Sequence, residues 1–127
     1  MSVHALVVDD DEFVRGAVVR QLKTAGVAEV QAARDWSSAR VLLDAWHGCN
    51  VVISDLDMPG AAGSGFLDEL AVMRPGIALI IASALEPLVR QAIERHVRKL
   101  PLRLLGCVAK PTSVDGLRAL LEPLRAG

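Results

Sequence analysis

VVISDLDMPG, from Val51 to Gly60, is the stretch on which the reading of this chain turns. Val51, Val52 and Ile53 form a β-branched apolar run of the kind a strand covered on both faces requires, and Met58-Pro59-Gly60 stops it. Asp55 therefore falls at the carboxyl end of a strand. Ligands of open parallel α/β sheets bind in the crevice outside those ends, which makes Asp55 a candidate site residue. The competing reading is a solvated turn, where Asp is common. A second acidic cluster and a partner cation elsewhere decide between the two.

Upstream, Val3 to Val8 is another short apolar run, and it ends abruptly in Asp9-Asp10-Asp11-Glu12. Val14, Ala17, Val18, Leu22 and Ala25 then recur at helical spacing until Gly26 supplies a stop. Ala28 to Ala33 reads as a weak, partly polar strand suited to a sheet edge. Asp35 caps a helix with Trp36, Ala39, Leu42, Leu43 and Trp46 on one face, ended by Gly48.

Downstream of the Pro-Gly turn, Ala61 to Gly65 is a connector, and Phe66, Leu67, Leu70 and Ala71 make a third helical face that closes at Arg74-Pro75-Gly76. Ile77 to Ala82 is a fully apolar strand finishing at Ser83. The next helix is expected to turn Leu88, Val89, Ala92, Ile93 and Val97 inward and Arg90, Glu94, Arg95 and Arg98 outward. Leu102 to Ala109 reads as a fifth strand ending at Lys110-Pro111, and Val114, Leu117, Leu120, Leu121 and Leu124 line a closing helix.

Five β-α units in succession imply a parallel sheet with right-handed crossovers and helices on both faces. The expected fold is α/β, a flavodoxin-like doubly wound (βα)5 domain over residues 1–127 with strand order 2-1-3-4-5, which puts the weak second strand at an edge. Asp9, Asp10, Asp55, Ser83 and Lys110 then share one rim. Three carboxylates so close repel by several kcal/mol at an effective dielectric near 20, so they take up protons or hold a cation. Oxygen donors without His or Cys suit Mg²⁺, which keeps several waters and joins carboxylates to a phosphate. Lys110 supplies a point charge for a phosphoryl oxygen and Ser83 a hydroxyl, and a carboxylate can itself accept the phosphoryl group. Singly, each residue has a duller role: the acids open a helix, Ser83 caps one, and Lys110 is a solvated strand end. Those independent roles do not explain a shared location.

Composition narrows the rest. With 127 residues and 52% hydrophobic content the chain can bury a core without disulfides, so one domain is expected. A formal charge of −1 provides no general attraction to nucleic acid or to an anionic membrane. Cys49 and Cys107 show no zinc or redox spacing, and free thiols fit a reducing cytoplasm. No signal peptide and no apolar run of about 18 residues is present, so a soluble cytoplasmic protein is expected.

VVDDDE at Val7 to Glu12, SDLDMPG at Ser54 to Gly60, IIASA at Ile80 to Ala84 and AKP at Ala109 to Pro111 together resemble a receiver domain of bacterial two-component response regulators, over essentially the whole chain. The resemblance implies that Asp55 receives a phosphoryl group from a phosphohistidine on a sensor kinase or phosphotransfer protein. It implies Mg²⁺ held by Asp10, Asp55 and the backbone carbonyl of Asp57, with Asp9 acting through water. Lys110 would pair with the phosphoryl oxygens, Ser83 would be the switch hydroxyl, and the Lys110–Pro111 bond would be cis. The helix of Leu88 to Val97 and the fifth strand would form a partner surface, for a dimer or a heterologous contact, with an output domain beyond residue 127 or a separate effector.

Two departures stand out. Three residues before Lys110, where the family usually has an aromatic, this chain has Cys107. That side chain is too small to gate a surface by rotating, so the relay is expected to run through the backbone of Ser83 to Pro87 and Arg98 to Arg103. The approach to the fifth strand, VRKLPLRLLGCVAKP, is also longer than in compact members and resembles receivers fused to EAL-type cyclic-di-GMP phosphodiesterases. Two alternatives compete. Asp55-Leu56-Asp57 superficially fits an aspartyl-phosphate hydrolase of haloacid dehalogenase type, although Pro59 and the order of the acids do not. The other is a receiver-like interaction module that is never phosphorylated.

Overall fold

The computed structural model describes residues 2–55, 65–84 and 86–126. Ten elements alternate: β1 (His4–Val8), α1 (Glu12–Thr24), β2 (Glu29–Ala33), α2 (Trp36–Ala45), β3 (Val51–Asp55), α3 (Gly65–Met73), β4 (Ala78–Ser83), α4 (Pro87–Arg98), β5 (Arg103–Ala109) and α5 (Val114–Ala126). The strands form one parallel sheet in the order β2-β1-β3-β4-β5, the flavodoxin-like order expected from the apolar runs. The partly polar second strand lies at the edge, where only one neighbour needs to be satisfied.

β3 and β4 are buried at every position, as central strands between two helical layers must be. Alternate side chains divide into two cores. Leu6, Val8, Val52, Leu79 and Ile81 pack with Ala39, Leu43, Phe66, Leu67, Leu70 and Val97, beneath α2, α3 and α4. Ala5, Val7, Val51, Ile53, Ile80 and Ala82 pack with Val18, Leu22, Leu117, Leu121 and Leu124, beneath α1 and α5.

Local chemistry sets the helix ends. Asp11 caps α1 by accepting from Phe13 N and Val14 N at 2.9 and 3.0 Å, and Asp35 caps α2 by accepting from Ser38 N at 2.8 Å. That bond to Ser38 holds the Asp35 carboxyl below its ordinary range. Past the end of α3, Arg74 donates to the carbonyls of Trp46, His47 and Cys49 at 3.0, 3.0 and 2.7 Å, satisfying acceptors that the end of α2 leaves open.

α4 sits differently from the sequence expectation. Leu88 is 77% and Val89 46% exposed, and Ala92 also faces solvent, whereas Arg90 and Glu94 turn inward beside Ile93 and Val97. At 3.6 residues per turn, Leu88 lies about 180° around the helix from Val97. The cause is the platform: β5 is an edge strand with every residue only partly covered or exposed, so Ile93 and Val97 suffice as apolar anchors. The aliphatic stems of the charged residues cover the rest.

β5 carries an irregularity: Leu79 pairs with Leu104 but Ile80 with Gly106, leaving Leu105 as an extra residue. Gly106 has φ +154, and a Cβ there would stand 2.7 Å from Leu120 Cδ2 on α5. Gly106→Ala is therefore expected to lower stability by about 1–3 kcal/mol through strain and overpacking. Urea unfolding should show a lower midpoint at unchanged slope.

Among the described residues no helix is long and apolar enough to cross a membrane. Both cysteines are free thiols, and burial pushes that of Cys49 up to about 11.

Candidate functional site

The sheet register brings the predicted rim together. Val8 pairs with Ser54, so Asp9 and Asp55 follow side by side where β1 and β3 end. Asp55 pairs with Ala82, and Ser83 pairs with Ala109 immediately before Lys110. The backbone N–H of Lys110 donates to the Ser83 carbonyl at 3.3 Å, and the Lys110–Pro111 bond is cis. Three strand ends and the turn after β5 thus converge on one place, the crevice expected of this topology.

Burial is deep for so polar a group. Asp9 is 2%, Asp55 3% and Ser83 2% exposed, while Asp10 faces solvent. Lys110 Nζ stands 3.0 Å from Asp55 Oδ1 and 3.2 Å from Asp9 Oδ2. Burial alone would lower the Lys110 pKa, but hydrogen bonds to Asp55 and Asp9 and the charges of both outweigh it and raise the pKa above 10.5. Asp9 is fixed twice more, since its Oδ1 accepts from Asp11 N at 2.9 Å and its carbonyl accepts from Arg15 Nη1 at 2.9 Å.

One oxygen from each of Asp9, Asp10 and Asp55 lies within 4.8 Å of the others. The donors are all carboxylate oxygens and one residue is open to solvent, which fits a hard divalent cation that retains waters. Three carboxylates gather around one ammonium, which pairs with Asp9 and Asp55, so a cation would relieve repulsion among them. Asp57, expected to lend a backbone carbonyl, lies outside the described residues, as does the Pro59-Gly60 turn.

The four consecutive acids separate by role. Asp9 and Asp10 belong to the cluster, whereas Asp11 is spent on the helix cap. Sequence reasoning passed over Arg15, whose spacing from Asp9 is intelligible only once α1 is known to start at Glu12. It also passed over Gln21, whose amide donates to the Thr112 carbonyl at 2.9 Å while its carbonyl accepts from the Thr112 hydroxyl at 2.6 Å. This reciprocal pair ties α1 to the turn that carries Lys110. Cys107 is half-buried under α4, and burial first, then the nearby Glu94 carboxylate, push its thiol up to about 12.

The sequence model of the response regulator receiver domain matches residues 5–122. Cyclic di-GMP phosphodiesterase RocR of Pseudomonas aeruginosa is 30% identical over 125 residues, covering 98% of this chain and 32% of its own length. A protein-glutamate methylesterase/protein-glutamine glutaminase 2 of the same organism is 32% identical over 130 residues, 99% of this chain and 36% of its own length. The chain thus spans about a third of these relatives. A response regulator receiver protein from Pseudomonas putida superposes with a TM-score of 0.81 at 22% identity, covering 97% and 98% of the two chains. Chemotaxis protein CheY4 of Vibrio cholerae does so at 0.78 and 23%, covering 99% and 98%. The structural likenesses establish the fold.

Proposed function

The chain belongs to the response regulator receiver domain family, the phosphoacceptor switches of two-component signalling, and from this we propose that Asp55 is its phosphoacceptor. The observation that carries the assignment is Asp55 itself: a carboxylate 3% exposed, at a strand's carboxyl end, 3.0 Å from Lys110 Nζ and clustered with Asp9 and Asp10.

In the reaction an Asp55 carboxylate oxygen attacks the phosphorus of a phosphohistidine on a sensor kinase or phosphotransfer protein. The O–P bond forms as the N–P bond breaks, and the electron pair leaves on the imidazole nitrogen, which takes up a proton. The product on this chain is an acyl phosphate. Lys110 is placed to neutralise phosphoryl oxygens as they approach, and its paired, charged state means little reorganisation is needed. Ser83, buried next to the same rim, supplies a hydroxyl for a phosphoryl oxygen. Asp9, held by Asp11 N, Arg15 and Lys110, orients the lysine. Mg²⁺ would be held by Asp10, Asp55 and the Asp57 carbonyl, with Asp9 through water, and when bound it neutralises charge on the phosphoryl oxygens.

The domain passes its state to an output domain or a separate effector. An EAL-type phosphodiesterase is the output favoured by the lengthened approach to β5 together with the likeness to RocR. The domain takes part in phosphoryl transfer to itself and in its own dephosphorylation.

Incubation with a small acyl phosphate and Mg²⁺ tests this reading: the chain should gain a labile phosphoryl group on Asp55. Rapid phosphate release with turnover would favour the hydrolase alternative, and no reaction the inert module. Metal titration sharpens it. Asp10→Ala should weaken Mg²⁺ binding about tenfold or more, and Asp9→Ala less, because a direct ligand loses more than one acting through water. Equal losses would contradict the division of ligands.

A further inference from the structure

Lys110 leaves the sheet on a turn with little framework of its own. Residues 110–113 belong to neither β5 nor α5, and Pro111 brings no N–H to bond with. The backbone N–H of Lys110 is held by the Ser83 carbonyl, and past Pro111 the turn is taken up by a side chain from another element. Gln21 of α1 donates from Nε2 to the Thr112 carbonyl at 2.9 Å and accepts at Oε1 from the Thr112 hydroxyl at 2.6 Å. Two bonds running in opposite directions fix the orientation of Thr112 as well as its distance.

α1 is a firm support for them. Asp11 caps its start, Val18 and Leu22 bury its inner face, and just past its end the Ala25 carbonyl accepts from Arg125 of α5. Arg15 of the same helix donates to the Asp9 carbonyl at 2.9 Å. About 9 Å of helix separates Arg15 from Gln21, so one element grips the chain on both sides of the Lys110–Asp9 ion pair.

We propose that Gln21 is a positioning residue for phosphoryl transfer: through Thr112 it fixes the backbone at Lys110, and so the place where the ammonium meets incoming phosphoryl oxygens. The inference rests on the phosphoacceptor reading of Asp55. Gln21 touches no reacting atom. Lys110 Nζ stands at the end of a flexible stem, 3.0 Å from Asp55 Oδ1, and must pass to a phosphoryl oxygen as transfer proceeds. A root that drifts widens the space this ammonium searches, and misplacement by about 1 Å can slow a reaction about 100-fold. Neither Gln21 nor Thr112 is among the oxygen donors of the carboxylate cluster, so losing their contact should leave cation binding alone.

The initial rate at which the chain gains mass from a small acyl phosphate at saturating Mg²⁺ tests this, beside Mg²⁺ titration and amide exchange. Gln21→Leu keeps the bulk and removes both bonds; it should lower the rate about tenfold with the Mg²⁺ affinity unchanged. Thr112→Val removes only the hydroxyl bond and should lose less, and Thr112→Ser, which restores it, should react as the unaltered chain does. Adding Thr112→Val to Gln21→Leu should cost nothing further, since both act through one contact. Exchange of the Lys110 amide should quicken in Gln21→Leu while that of the β3 amides does not, which a general loss of stability would not produce. Should Gln21→Leu fail to fold, the two Thr112 variants decide alone. An unchanged rate in Gln21→Leu, equal slowing in Thr112→Val and Thr112→Ser, or a loss of Mg²⁺ affinity that accounts for the slowing would overturn the proposal. If the unaltered chain gains no mass while its Lys110 amide still responds to Gln21→Leu, the phosphoacceptor reading fails and the role in transfer with it, although the hold on the turn stands.

Discussion

Asp55→Asn is expected to abolish formation of the labile phosphoryl group while leaving the fold intact. The amide is nearly isosteric with the carboxylate but is not a nucleophile toward phosphorus, so the loss should be complete within detection. Stability should hold or rise. Asp9, Asp10 and Asp55 bring oxygens within 4.8 Å of one another, and removing one negative charge relieves repulsion that Lys110 only partly offsets. The measurement is mass of the intact chain after treatment with a small acyl phosphate and Mg²⁺, beside thermal unfolding. A phosphorylated Asn variant would move the acceptor to another residue, Asp57 first. A sharply destabilised one would mean that the Lys110 bond outweighs the repulsion.

Lys110→Met should show the largest change in stability. It leaves Asp9 and Asp55, 2% and 3% exposed, without the ammonium that lies 3.2 and 3.0 Å from them. Breaking a buried pair in this way costs about 3 kcal/mol, at the low end of its range because the cluster opens to solvent at Asp10. Added Mg²⁺ should restore part of the loss, since a cation that binds the folded form stabilises it by mass action. The pH dependence has a definite sign. The Lys110 pKa is higher in the folded chain, so its contribution is complete below the ordinary 10.5 and disappears as pH rises through the folded value. The unaltered chain should therefore lose stability above pH 10.5 in a step that the Met variant lacks. An unchanged denaturation midpoint for Lys110→Met at neutral pH would contradict this account of the cluster.

The framework was legible because its signals are local. Four apolar runs, each leading to an acid, a serine or a lysine, and the Gly and Pro stops between them sufficed, with the weak second strand, for five β-α units and for the rim. What escaped depends on which way a helix rolls. Leu88, Val89 and Ala92 satisfy helical spacing with Ile93 as well as Arg90 and Glu94 do with Val97, and only the narrow, half-covered β5 selects the second face. The Arg90–Glu94–Arg98 ion pairs on the half-buried side of α4 were hidden for the same reason. Asp11 as the cap and Arg15 on the Asp9 carbonyl needed the start of α1 to within one residue, finer than periodicity resolves.

The extra residue in β5 has a consequence for counting along the chain. Leu104 faces the α4 side and Cys107 does too, although three residues separate them and strict alternation would put them on opposite sides. Leu105 and Gly106 both face α5. The strand therefore resets its parity at Leu105, and positions numbered back from Lys110 keep their facing only as far as Gly106. Upstream of that point, one residue more or fewer can be absorbed without turning Cys107 away from the α4 side or Lys110 away from Asp55. Chimaeras that exchange the long approach for a shorter one should place their junction before Leu105, where the splice leaves the spacing from Gly106 to the lysine unaltered.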